Sequence, residues 1–290
     1  WAYRDPRTGG LVGRSEGLAL ASLEMFAAGL FSSDPAALLR VDAAALSSLS
    51  EADLAAGFQV APGNLLEGMA GRAALLRRLG DAVGARPDLF GSPGRVGNLA
   101  DLLRATGTVA AADILAALLD GMSPIWPGRL SLGGQGLGDV WRHPVARGPD
   151  PTDGLVPFHK LTQWLTYSLI EPLEEAGVEV TGLDDLTGLA EYRNGGLFID
   201  TGVLVPRDPA LCVEPQAVDS EAVVEWRALT VALLDRLAVG VREKLGLTPA
   251  ALPLAKVLQG GTWTAGRRIA QDLRADGGPP IRIVSDGTVF

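Results

Sequence analysis

The sequence predicts a mainly helical protein, a helical bundle with a small β hairpin or sheet inserted. Three observations carry this. Apolar residues recur three and four positions apart over much of the chain, helix-capping residues stand ahead of several of these runs, and Gly and Pro mark turns and helix ends. With 290 residues, 47% hydrophobic and 20% charged, the chain can bury a large core. Two parts are expected: an N-terminal helical part over residues 1–120, and a part over 121–290 that holds a Gly/Pro-rich loop, the β element and the chemistry.

In the first part, Ser15 is positioned to cap a helix whose stripe is Ala19, Leu23, Phe26 and Leu30. Asp34-Pro35 and Ser50-Glu51-Ala52-Asp53 read as helix starts, the latter a capping-box variant. A further helix runs from Leu65 through Met69, Arg72, Leu76 and Leu79 to a closing Gly80, and another from about Val109 to Leu119. The Gly/Pro-rich stretch from Trp126 to Pro151 reads as an ordered loop.

Beyond it, Phe158 to Ile170 forms a helix, apolar on nearly every side, that Pro172 kinks or ends. Such a helix is buried, so the polar residues on it are informative: a buried Lys or Gln needs a partner. Gly195 to Val205 reads as β structure with Gly turns, a hairpin. Asp219-Ser220 opens a long helix with the stripe Val223, Trp226, Leu229 or Thr230, Leu233, Leu237 and Val241, punctuated by Pro249 and Pro253. Gly260 to Arg268 leads into a short helix, and Ile281 to Asp286 reads as a final strand.

Composition narrows the function. The apolar runs fall short of the roughly 20 residues of a membrane span, and no basic-then-apolar leader opens the sequence, so a cytoplasmic protein without membrane contact is expected. The lone Cys212 with His143 and His159 cannot build a Cys/His zinc site, so neither a metal nor another cofactor is expected. A net charge of −9 disfavours nucleic acid but leaves room for a small anion in an Arg/Lys pocket. The oligomeric state is left open.

Three constellations set charge beside aromatic residues: Phe158-His159-Lys160-Leu161-Thr162-Gln163, Leu189-Ala190-Glu191-Tyr192-Arg193 and Val224-Glu225-Trp226-Arg227. Buried charge of this kind is paired or functional, and a plain structural Glu/Arg network is the alternative. Gly133-Gly134-Gln135-Gly136-Leu137-Gly138 lacks the βαβ setting of a dinucleotide loop and reads as a turn. No nucleophile elbow, P-loop or metalloprotease helix is present, which leaves carboxylate, Lys, Arg and His chemistry.

The stretches Arg14-Ser15-Glu16-Gly17-Leu18-Ala19, Pro62-Gly63-Asn64, Trp126-Pro127-Gly128-Arg129, Gly138-Asp139-Val140-Trp141, Leu155 to Leu165, Glu191 to Gly196, Val224 to Thr230 and Ser285 to Phe290 resemble a domain-of-unknown-function family. That family includes the fourth protein of the URC uracil-catabolism pathway, and the resemblance spans nearly the whole chain. Its members carry a further segment before the position of Trp1, so the sequence reads as N-terminally shortened.

A more distant resemblance is to the queuosine-salvage nucleotide N-glycosidases, whose aromatic-Tyr-Lys-Arg-Ala-Gln, Ala-Asp-Tyr-Arg and Glu-Ile-Arg motifs match Phe158 to Gln163, Ala190 to Arg193 and Glu225 to Arg227 in order. It implies a fold related to the helix-hairpin-helix DNA glycosylases, with Lys160 and Glu191 in the places of the essential Lys and Asp. Glu for Asp, Leu161 for the motif Arg and Ser168 for a second Asp imply a different substrate.

Together the resemblances imply a metal-independent N-glycosidase acting on a phosphorylated nucleoside derivative. The pathway opens the pyrimidine of UMP and leaves a urea on ribose phosphate, so one N-glycosidic bond remains to be broken. Glu191 is then the expected carboxylate, about 3 Å from the sugar, that stabilises oxocarbenium charge and deprotonates water. His159, Tyr192 or Gln163 is the expected donor to the leaving urea. Lys160 is expected to pair with Glu191, with phosphate binding or a Schiff base as its alternatives. Arg193, Arg267 and Arg129 are candidate phosphate ligands, and Trp126 a further substrate contact. Glu225 and Arg227, about 200° apart on a helix, read as structural, with Trp164 and Trp226 in the core. Two competing readings are a ring-opening amidohydrolase, for which two His are few, and a non-enzymatic pathway scaffold.

Overall fold

Side-chain oxygens start several of the helices. Asp42 accepts from the backbone N–H of Ala45, Ser50 from that of Asp53 and Ser220 from that of Val223. The computed structural model describes residues 1–126 and 129–284, with nothing stated of the Thr106 side chain. Readings on Pro127, Gly128 and the terminal stretch from Ser285 lie outside the described residues. The chain is mainly helical, with small two-stranded sheets, and falls into two units. One holds Trp1–Thr106 and the described part of Leu119–Pro127; the other holds Gly107–Leu118 and the described part of Gly128–Ser285.

The first unit contains α1 (Arg14–Ala27), α2 (Ala43–Ser48), α3 (Glu51–Gly57), α4 (Met69–Ala85), α5 (Pro87–Phe90) and α6 (Asn98–Leu103). Its core joins Tyr3, Met25, Leu49, Leu54, Phe58 and Met69. Helix α1 starts after Gly13, not after Ser15, and buries Gly17, Ala21 and Met25, leaving Leu23 54% exposed. The small residues were the inward ones, because the backbone at Val12 leaves no room for a Cβ at Gly17. Asp34-Pro35 forms an isolated turn rather than a helix, Asp34 accepting from Ala36 N–H. Gly80 does not end α4 either: a Cβ there would lie 2.5 Å from Ser47 N, so its bareness admits α2.

The second unit contains α8 (Lys160–Glu175), α9 (Tyr192–Asp200), α10 (Glu221–Leu245), α11 (Leu254–Val257) and α12 (Thr264–Leu273), while α7 (Ala111–Met122) spans the division between the two sets of residues. A π-helical segment, Leu258–Trp263, joins α11 to α12. Strand Val140–Arg142 pairs antiparallel with Leu155–Pro157, and Thr108–Ala110 pairs parallel with Glu179–Thr181. The expected final strand is Ile283–Val284, parallel to Gln216–Ala217. Within the Gly/Pro-rich stretch, Ser131–Leu132 and Gln135–Gly136 make a short hairpin through the glycine turn.

Two expectations are corrected here. The residues read as a hairpin from Gly195 form α9, because their glycines serve packing rather than turning. A Cβ at Gly195 would lie 2.6 Å from Thr230 Oγ1 and 2.8 Å from the Trp226 indole. Helix α8, expected to be buried on nearly every side, leaves Leu165 38% exposed and buries chiefly polar residues, Lys160, Thr162, Gln163 and Thr166 with Leu173; it continues through Pro172 to Glu175 rather than ending at the proline. In α10 the packed stripe is Val223, Trp226, Thr230, Leu234 and Ala238, with Leu229 partly exposed. Among the described residues no helix is long and apolar enough to cross a membrane.

Candidate functional site

A buried carboxylate organises the start of α8. Asp139 meets the Arg227 guanidinium of α10 through two hydrogen bonds of 2.8 Å, accepts from Trp141 Nε1 at 2.6 Å, and accepts from the Lys160 backbone N–H at 3.0 Å. Its backbone carbonyl takes the N–H groups of Phe158 and His159, and the Arg227 Cζ lies 4.0 Å from the Phe158 ring centre. Burial by itself would push the Asp139 carboxyl up, but the Arg227 bonds and charge, with Trp141 and Lys160 N–H, hold it below the usual carboxylate range. Arg227, read as structural, thus finds its partner on another element, and Glu225 faces outward.

Lys160, fixed in place by this clamp, is 4% exposed. Burial lowers its amine to about 8, against the Glu191 charge, which favours the protonated form. Glu191 caps α9, its Oε2 accepting from Arg193 N–H at 2.7 Å, and is 6% exposed. Burial raises its carboxyl above the ordinary value, and the Lys160 charge is the largest influence in the other direction, followed by the N–H and charge of Arg193. The two buried groups thus act on each other as opposite charges in a medium that screens them weakly.

Glu191 stands in the wall of a cavity of about 390 Å³, within the range of small-molecule sites. Trp164, Tyr167, Ser168 and Glu171 from α8, Leu189 and Asn194 beside Glu191, and Ala255, Leu258, Gln259 and Trp263 complete the lining. Trp164 and Trp263 meet edge to face with ring centres 5.7 Å apart. Tyr167 donates to Thr187 O at 3.0 Å, and burial pushes its hydroxyl up. Asn194 is fixed by Thr262, whose hydroxyl donates to its Oδ1 at 2.9 Å. Arg193 and Arg267 stack on the Trp263 ring with their Cζ atoms at 4.9 and 5.5 Å, Arg193 lying also over Tyr192. Gly266 permits this, since a Cβ there would sit 2.1 Å from Arg193 O.

A family model described as "Protein of unknown function (DUF1688)" matches residues 1–290. The chain belongs to the DUF1688 family. It is 45% identical over 294 residues to "Protein urg3" of Schizosaccharomyces pombe, a match covering all of this chain and 70% of that protein. It is 42% identical over 321 residues to "Uracil catabolism protein 4" of Lachancea kluyveri, covering all of this chain and 72% of that protein.

The residues expected to carry chemistry in this family member divide among several places. Glu191 lines the cavity, and Lys160, Gln163 and Arg193 are buried on the elements that form its wall without being lining residues. Tyr192 lines instead a crevice of about 10 Å³ with Arg193, Asp200 and Arg274. His159 precedes α8 in a left-handed conformation, φ 44°, half-buried; burial lowers its imidazole while Asp139 opposes this. Arg129 stacks over Trp141 at 5.3 Å. Trp126 belongs to the first unit, half-buried, with its N–H on Ser123 O.

Trp164, expected in the core, is a wall residue, whereas Trp226 is core. Sequence reasoning passed over Asp139, Tyr167, Asn194 and Trp263 as site residues. Asp139 and Asn194 stand inside motifs already singled out, and polarity within apolar surroundings was the available signal. Trp263 gave none beyond an aromatic in a Gly-rich run. Among the described residues no three His, Cys, Asp or Glu side chains are gathered closely enough to hold a metal ion.

Proposed function

We propose that this chain serves uracil catabolism and there hydrolyses the N-glycosidic bond of a ribosylurea 5-phosphate-like nucleotide, releasing urea and ribose 5-phosphate. The observation that carries the reading is Glu191: a buried carboxylate in a cavity wall, raised by burial and opposed by the Lys160 charge. The printed name of the Lachancea kluyveri relative supports the pathway. The order of Lys160, Glu191 and Arg227 supports a fold kinship with helix-hairpin-helix glycosylases and a metal-independent enzyme.

In this mechanism the water oxygen bonds to the anomeric carbon as the carbon–nitrogen bond breaks. The bonding electron pair leaves with the urea nitrogen. Glu191 takes a proton from the water, the departing urea nitrogen gains one from solvent, and Glu191 returns its own to solvent, so ribosylurea 5-phosphate and water give urea and ribose 5-phosphate with every atom accounted for. The Glu191 carboxylate also faces the oxocarbenium charge, in a cavity where that attraction is strong. Lys160 keeps Glu191 ionised against its burial. Arg193 and Arg267, both held on the Trp263 indole, offer two guanidinium groups to the phosphate.

The direct test is release of free urea from ribosylurea 5-phosphate by the wild-type protein and by Glu191→Gln. The variant should lose about 10²–10⁴-fold in kcat, the usual worth of a positioned base, while keeping its circular dichroism. Turnover at the wild-type rate in a folded variant refutes the role of Glu191. A ring-opening amidohydrolase usually uses a metal-activated water, and metal analysis of the purified protein tests that alternative.

A further inference from the structure

We infer that Trp263 Nε1 and Gln163 Oε1 form the recognition pair for the ureido group, an inference that rests on the function proposed above. Both atoms are buried and neither has a hydrogen-bond partner among the described residues. Native interiors rarely keep such atoms unless something else supplies the partner. Trp263 is part of the cavity wall. Gln163 is 7% exposed and sits one turn before the wall residue Tyr167 on α8, both side chains being tied to Thr187.

The polarity of Gln163 is fixed by its neighbour. The Thr187 hydroxyl donates to Gly188 O at 3.1 Å, so it can only accept from Gln163, whose Nε2 approaches at 3.0 Å. The amide nitrogen is therefore committed and the free atom is an acceptor. Gln163 then cannot protonate a leaving group through its Nε2, and the donor in this reading is the indole N–H of the wall residue Trp263. A ureido group matches this pair, since its carbonyl accepts from Trp263 and its amino group donates to Gln163. As the carbon–nitrogen bond breaks and negative charge grows on the urea, the Trp263 hydrogen bond strengthens.

The test uses product inhibition, because the two products report on different ends of the site. Trp263→Phe keeps the ring against Trp164 and under the two guanidinium groups but removes the N–H; Gln163→Leu removes the acceptor. Each should raise the inhibition constant of N-methylurea about 10-fold, the scale of one lost hydrogen bond, while in Gln163→Leu that of ribose 5-phosphate stays within about twofold. An unchanged N-methylurea constant in either variant, or equal shifts for both products in Gln163→Leu, overturns the pairing. Tetramethylurea, which has no N–H, should bind the wild-type protein at least about 10-fold more weakly than N-methylurea, a comparison that needs no variant to fold. If the wild-type protein releases no urea from ribosylurea 5-phosphate, the functional reading fails by itself. Saturation-transfer NMR of N-methylurea on wild type and variants then decides the recognition pair: signal lost in both variants supports it, and equal signal in all three refutes it.

Discussion

Asp139→Ala removes the carboxylate that ties α10 to the start of α8, and the structure sets the size of the effect. The Arg227 guanidinium is 2% exposed, and two hydrogen bonds of 2.8 Å join it to Asp139. Trp141 Nε1 and the Lys160 N–H lose the same acceptor. Breaking a buried ion pair from one side costs about 3–5 kcal/mol, most of it from the charge left behind. At about 2–4 °C per kcal/mol for a unit of this size, the melting midpoint should fall by about 6–20 °C.

Thermal melts followed by circular dichroism at pH 7 measure this, with Asp139→Ala/Arg227→Met as the companion. The double variant no longer buries an unmatched charge and should recover part of the loss. The folded carboxyl of Asp139 is depressed, so its stabilisation is complete above the unfolded value, about 3.9, and is lost as pH falls through the folded one. The gap between wild type and Asp139→Ala should therefore be constant from about pH 5 to 8 and close below about pH 4. A fall under about 2 °C at pH 7, or a double variant no more stable than the single, would show that the clamp does not hold the two helices.

Three further outcomes are expected. Lys160→Met removes the positive charge that keeps Glu191 ionised, so the acid limb of kcat/KM should move to higher pH; an unmoved limb in an active variant separates the two groups. In the wild-type protein the amine near 8 should set the alkaline limb, activity falling as Lys160 loses its proton, and a limb that survives in Lys160→Met assigns it elsewhere. Gly266→Ala places a Cβ 2.1 Å from Arg193 O, which the backbone must move to accept; a loss of about 1–3 kcal/mol in urea melts is expected, with a raised KM as the Arg193 and Trp263 stack shifts.

The candidate site was legible where chemistry was local. Lys160 and Glu191 could be singled out because a charged residue inside an apolar run needs a partner or a task, and both prove to be buried. Ser50 and Ser220 could be read as caps because capping is decided within three residues. Other assignments depended on what a residue meets from far along the chain. Gly195 and Gly80 read as a turn and a helix end in the sequence, and with Gly17 they are close-approach points in the fold. Leu23 and Leu229 fit a helical stripe by period, yet the smaller residues beside them face inward.

By itself, then, the sequence determined that the chain is mainly helical, where many helices begin, and which charged residues stand in apolar settings, since periodicity, capping and polarity act over a few residues. Only the tertiary structure decided that Asp139 answers Arg227, 88 residues away, that Trp164 walls a cavity instead of filling the core, and that Tyr192 lines a crevice other than the cavity of Glu191. Those outcomes depend on long-range packing, where the room left by a glycine or the reach of a guanidinium selects among faces that the local pattern leaves equivalent.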